Sequence, residues 1–114
     1  MDKEIKLKSR IDKNFEDFKA SMLKLDSQSV FEKAKEITAY TQVHQYMTKS
    51  HSYTPEERDY LLLFQNPLEI ISDNYQQDLG YAENVLGVIV AEECDRQDGR
   101  GNYPMIRKHR EPER

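Results

Sequence analysis

Residues 53–70 read YTPEERDYLLLFQNPLEI and state one phrase twice. Thr54-Pro55-Glu56-Glu57 and Asn66-Pro67-Leu68-Glu69 each put a capping side chain first, a proline second and a glutamate fourth. A proline in the first helical position gives up only a donor that would be unpaired anyway. The threonine or asparagine before it can accept from the first turn, and the glutamate can reach back to the cap. Acids there also meet the positive end of the helix dipole. The acids of this stretch therefore mark two helix starts rather than a reactive pair, with a short helix over 55–65 and a long one from 67.

Working outward from this stretch, the apolar spacing stays helical. Upstream, Leu7, Ile11, Phe15, Phe18, Met22 and Leu25 recur at steps of three and four and predict a helix over 3–25. A polar cluster follows, in which Ser29 and Glu32 have capping-box spacing and Asp26 or Ser27 offers an earlier cap. The stripe Val30, Ala34, Ile37, Thr41 and His44 defines a second helix that fades into a loop near 48–53. Downstream, Ile71, Tyr75, Leu79, Ala82, Leu86 and Ile89 predict one long helix to about Glu93. Gly80 and Gly87 interrupt it, each costing about 1 kcal/mol, and leave open a kink, a split or a close approach by another helix. The last twenty residues, DRQDGRGNYPMIRKHREPER, are charged and poor in apolar side chains.

These features predict an all-α fold, a small irregular helical bundle of four to five helices in one domain over 1–94. A flexible basic tail over 95–114 should follow it. The first and last helices, as the longest, should pair antiparallel. Apolar residues make up 37% of the 114, enough for a modest core with little to spare, which leaves room for a homodimer. The single cysteine, Cys94, has no internal partner, and MDKEIKLKSR lacks the apolar core of a secretory signal, so a cytoplasmic setting is expected. The longest apolar run, 85–91, is far short of the roughly 20 residues that span a bilayer.

Charge is sorted along the chain. Residues 1–49 hold ten Lys/Arg and eight Asp/Glu, residues 50–94 one and nine, and residues 95–114 six and four. The acidic middle should repel nucleic acid, which could be contacted only through the ends. The candidate surface for a protein partner is accordingly Glu69, Asp73, Asp78 and Glu83 with Tyr75 and Tyr81. The tail would add Arg107, Lys108 and Arg110. Tyrosine is a favoured interface anchor, although most of these rings should rim the core with their hydroxyls in water.

No constellation for bond-making is visible. His44 and His51 lack metal-ligand spacing, and neither Glu56 nor Asp59 completes a recognised motif with them. Cys94 sits among Glu92, Glu93 and Asp95, which discourage the thiolate. Gly99-Arg100-Gly101 lacks the context of a phosphate loop and reads as linker. Adjacent carboxylates such as Glu92 and Glu93 diverge by about 100° on a helix. A non-enzyme without metal or cofactor is expected.

From about Asp12 to Val90 the order of a Phe-rich first helix, FEKAKEITAY, TPEE, NPLE and Tyr75 resembles a family of small uncharacterised helical proteins carried by bacterial phages and conjugative elements. No site residues come with that resemblance. It implies an accessory protein of a mobile element. Small acidic helical proteins of that origin are often inhibitors of host defence, anti-CRISPR proteins among them, so the expected partner is a protein such as a CRISPR effector. The alternatives are a nucleic-acid-binding regulator using the first helix and tail, and a structural oligomerisation module.

Overall fold

The computed structural model describes residues 2–77 and 85–106. Among them are six α-helices: α1 Lys3–Leu23, α2 Ser27–Glu32, α3 Ala34–Gln45, α4 Pro55–Leu61, α5 Pro67–Gln77 and α6 Leu86–Arg96. A π-helical turn, Tyr46–Ser50, prolongs α3. The all-α class holds, with more helices than the four to five expected. No strand forms among the described residues, and one isolated antiparallel bridge joins Phe64 to Met105.

The two helix starts of residues 53–70 are realised as read, although the first helix ends at Leu61 and not at 65. Thr54 and Glu57 form a full capping box with Pro55 in the first turn of α4. Asn66 Oδ1 accepts from the Glu69 N–H at 3.0 Å to open α5. Upstream, Asp26 rather than Ser29 caps the second helix, accepting from the Ser29 N–H at 2.8 Å. That helix breaks at Lys33, which leaves α2 a short piece with no buried residue.

α5 is the central element. Leu68, Ile70, Ile71 and Tyr75 are buried on it, and it packs on α1, α3 and α6. Leu7 and Ile11 of α1, Val43 and Met47 beyond them, and Leu86 and Val90 of α6 complete the core. The expected pairing of first and last helices is replaced: α6 packs on α4 and α5, while α1 packs on α3, α4 and α5.

The expected single helix over 67–94 is also overturned. Asn74 Nδ2 donates to Glu93 Oε1 at 3.1 Å across nineteen residues. An unbroken helix would hold those positions about 28 Å apart. Residues 78–84, Gly80 among them, lie outside the described residues.

A further correction concerns the tail. Its first part, through residue 106, is built into the fold rather than flexible. Gln97, with φ 55°, ends α6 in the left-handed conformation. The Gly99 N–H then donates to Glu93 Oε2 at 2.7 Å. A Cβ at Gly99 would stand 2.9 Å from both that oxygen and the Tyr60 hydroxyl, so glycine is needed here for close approach and not as linker. Beyond it, the Gln65 N–H donates to Pro104 O at 3.1 Å and the Ile106 N–H to Leu63 O at 2.6 Å. Tyr103 and Met105 pack against the core. A buried carboxylate and an unpaired backbone stretch each need donors, a demand that overall composition does not reveal. Residues 107–114 lie outside the described residues.

α1 is fixed by its first half. Arg10 Nη1 donates to Leu62 O at 2.7 Å and Phe64 O at 3.0 Å, and Asn14 Nδ2 donates to Gln65 O at 3.1 Å. No residue from 15 to 38 is buried. The two ends of α1 should therefore differ sharply in urea unfolding. Ile11→Ala should cost about 2–5 kcal/mol, whereas Leu23→Ala should stay within about 0.5 kcal/mol.

Candidate functional site

The second half of α1, α2 and the start of α3 form an arm with a concave apolar face. Its spacing explains it: Phe15, Phe18 and Met22 continue the stripe that Leu7 and Ile11 begin, but among the described residues no third layer of helix lies over them. Together with Leu23, Val30 and Ile37 they wall a groove of about 300 Å³. At this end Leu23 and Phe31 are 85% and 81% exposed. The groove has a stiff inner wall. Phe15 stacks on His44 with centroids 4.2 Å apart, Phe18 stacks on Tyr40 at 4.0 Å, and Lys19 Nζ lies 5.3 Å from the Phe15 ring centre. A clustered apolar surface of this kind marks an interaction site more often than isolated exposed side chains do.

The residues expected to meet a partner separate into three groups. Glu69 and Asp73 of α5 are half-buried, and the charges of Asp73 and of Glu36 on α3 both bear on the Glu69 carboxyl. Burial, then Asp73, then Glu36 push the Glu69 carboxyl above its ordinary value. Tyr75 is not a surface anchor. It is 1% exposed, and its hydroxyl donates to Gln42 Oε1 at 2.8 Å. Its place on the inner face of α5 makes it core. Asp78, Tyr81 and Glu83, like Arg107, Lys108 and Arg110, lie outside the described residues.

Three further tyrosines follow Tyr75 rather than the expectation of hydroxyls in water. Tyr53 donates to Met47 O at 2.6 Å, Tyr60 to Glu93 Oε2 at 2.5 Å and Tyr103 to Asp73 Oδ2 at 2.8 Å. Burial is the first cause that raises each of these phenols, which keeps them protonated as donors.

Two buried polar clusters were not foreseen from the sequence. In one, His51 Nε2 lies 2.8 Å from Glu57 Oε1 and His51 Nδ1 lies 2.6 Å from the Tyr46 hydroxyl. Beside a carboxylate, which can only accept, the tautomer of His51 with its proton on Nε2 leaves Nδ1 to accept from Tyr46. Burial and then Glu57 raise the Tyr46 phenol, consistent with that donor role. Gly87 of α6 closes over it, since an added Cβ would stand 2.9 Å from the Tyr46 oxygen. The imidazole and carboxylate are over nine-tenths buried, so this chain of groups resembles a catalytic relay in order but offers a substrate no open approach. It bolts the π-helical turn to the start of α4. Glu57 thus serves both the capping box and His51, and the second role left no mark in local spacing.

In the other cluster Glu93, 3% exposed, accepts from Tyr60, Gly99 and Asn74. These donors come from α4, the turn after α6, and α5. The carboxylate is a structural lock. Cys94 beside it is raised by burial, then by Glu57, Asp95, Glu56 and Glu93, so its thiolate is disfavoured. Among the described residues no three His, Cys, Asp or Glu converge as metal ligands. His44 stacks on Phe15, and its Nε2 lies 2.8 Å from Asp12 Oδ1. No described helix is long and apolar enough to cross a membrane.

Comparison with known proteins finds no family model, curated protein or solved structure that matches this chain.

Removing the Tyr60 hydroxyl with Tyr60→Phe should cost about 1–3 kcal/mol in urea unfolding, because Glu93 stays buried with a donor missing. Glu69 should respond with the opposite sign. A carboxyl raised in the folded state contributes its stability below the unfolded value and loses it as pH rises through the folded value. Glu69→Gln should therefore raise the melting temperature at neutral pH, and the gain should disappear on acidification as the wild-type carboxyl takes up its proton.

Proposed function

We propose that this chain catalyses no reaction and acts as an inhibitor, docking on another protein through the groove between α1, α2 and α3. The observation that carries this reading is the uncovered apolar arm, residues 15–38, which holds Phe15, Phe18, Met22, Val30 and Ile37 at helical spacing without burying one of them. Charge indicates the partner's chemistry. The chain carries a net −4, and Asp73 and Glu36 repel the Glu69 carboxyl close to the arm. A partner that presents an apolar stripe bordered by basic residues would cover the groove and relieve that repulsion. Proteins that handle nucleic acid present such basic surfaces. With the resemblance to proteins of phages and conjugative elements, this makes an RNA-guided CRISPR nuclease the specific target to test.

A second reading, a nucleic-acid-binding regulator, draws on one contact. The chain leaves the described body at Ile106, bonded to Leu63 O beside the carbonyl that Arg10 holds. Ile106, the last described residue, thus lies on the Arg10 side of α1, and the sequence beyond it is basic.

Nuclease-protection assays across several CRISPR effectors test the leading reading. The wild-type chain should inhibit at least one of them. The double variant Leu23→Asp with Phe31→Asp should keep its fold and lose inhibition about thirtyfold, the ratio for a hot-spot loss of about 2 kcal/mol. Absence of inhibition throughout would remove the CRISPR form of the reading. Gel shifts with bare nucleic acid, tight at low salt and steeply weakened by salt, would favour the regulator instead.

A further inference from the structure

On the Tyr40 side of the α1–α3 pair lies a second recess, a cleft of about 190 Å³ lined by Asn14, Asp17, Phe18, Tyr40, Asn66 and Glu69. One of its lining side chains has an unmet need. Asn14 is 8% exposed and spends its Nδ2 on Gln65 O, while its Oδ1 is buried without a hydrogen-bond partner. Buried acceptors are nearly always paired. Its rim holds a second one. No donor among the described residues reaches the Glu69 carboxylate, while Asp17 is engaged by Lys13 at 3.1 Å. The Tyr40 hydroxyl, on the same wall, has no partner among the described residues either. The remaining wall is aromatic, the stacked pair of Phe18 and Tyr40.

The occupant that answers all of these is a cation with several N–H donors and a flat apolar face. A metal ion fits poorly, because no three ligating side chains converge among the described residues. A guanidinium fits well. It forks toward two acceptors at once, lies readily against aromatic rings and sheds water more easily than an ammonium. We propose that this cleft receives the guanidinium of an arginine from the protein partner, with Glu69 as counter-charge, Asn14 Oδ1 as the buried acceptor and Phe18 and Tyr40 as the wall. This rests on the protein-docking reading and names the basic side chain that such a partner would insert.

The test uses L-argininamide as probe, with lysinamide and sodium chloride at matched ionic strength as controls, on the isotopically labelled full chain. Nuclear magnetic resonance should show saturable shifts confined to the Asn14 side-chain amide and the Phe18 and Tyr40 rings, stronger for argininamide than for lysinamide. Glu69→Gln, which keeps the shape of the side chain, should weaken the argininamide midpoint about tenfold. Shifts that never saturate, that salt alone reproduces, or that Glu69→Gln leaves unchanged would overturn the site. Asn14→Leu adds a check on the buried acceptor if it folds, and Glu69→Gln decides the question if it does not. The groove and the cleft are separable. Loss of inhibition in the Leu23/Phe31 variant, with Glu69→Gln still fully inhibitory, would leave the docking reading standing and overturn the assignment of the cleft to a partner's arginine.

Discussion

Residues 62–66, where α4 ends and α5 begins, leave backbone carbonyls at 62, 64 and 65 with no helical partner. A tight helix-to-helix junction inside a small protein cannot leave such groups dry and unpaired. Here the donors come from far along the chain. Arg10 and Asn14 of α1 supply those three carbonyls, and the segment around Pro104 and Ile106 pairs with the backbone at Leu63 and Gln65 from the other direction. Phe64 sits at the centre with its ring buried and set edge-on to Tyr60. The junction thereby fixes α1 at one end and holds residues 99–106 against the core at the other.

Anchoring α1 at Arg10 and Asn14 has a geometric result. At about 1.5 Å per residue, the nine helical residues after Asn14 run roughly 13 Å beyond the last anchor. α5 and α6 are already committed to the core around Leu7 and Ile11, and α2 buries nothing. Among the described residues α3 accompanies the overhang and the start of α5 borders its Tyr40 side, but neither lies over the groove, so the facing stripes stay open. The apolar groove is thus a consequence of where the polar anchors lie and of how little apolar material the chain carries.

The helix starts at Thr54-Pro55 and Asn66-Pro67 were legible because capping is local: cap, proline and glutamate lie within four residues. The α1 stripe was legible for the same reason, as a period read along one element. The polar groups that hold those elements together were not. In the sequence Glu93 is one of two adjacent acids that diverge on a helix, yet its donors Tyr60, Asn74 and Gly99 converge on it from three segments. Tyr75 was taken for an interface anchor because its type suits one, while its position at the centre of α5 decides its burial. The arm illustrates the same limit. Periodicity assigns Phe15, Phe18 and Met22 to a core face but cannot say whether another helix arrives to cover it. One sign was present from the start, in a 37% apolar fraction spread over several helices. The same fraction leaves room for a homodimer and for an open face alike.

Native-state hydrogen exchange on the free chain most directly tests the claim that the molecule is packed at one end and uncovered at the other. Amides of α2 and of α1 beyond Asn14 should exchange through local openings of low free energy. Those of α5 and of the turn around Leu7 and Ile11 should wait for global unfolding. Equal protection along the whole of α1 and into α2 would contradict the account, because it would mean that the arm is held as firmly as the core.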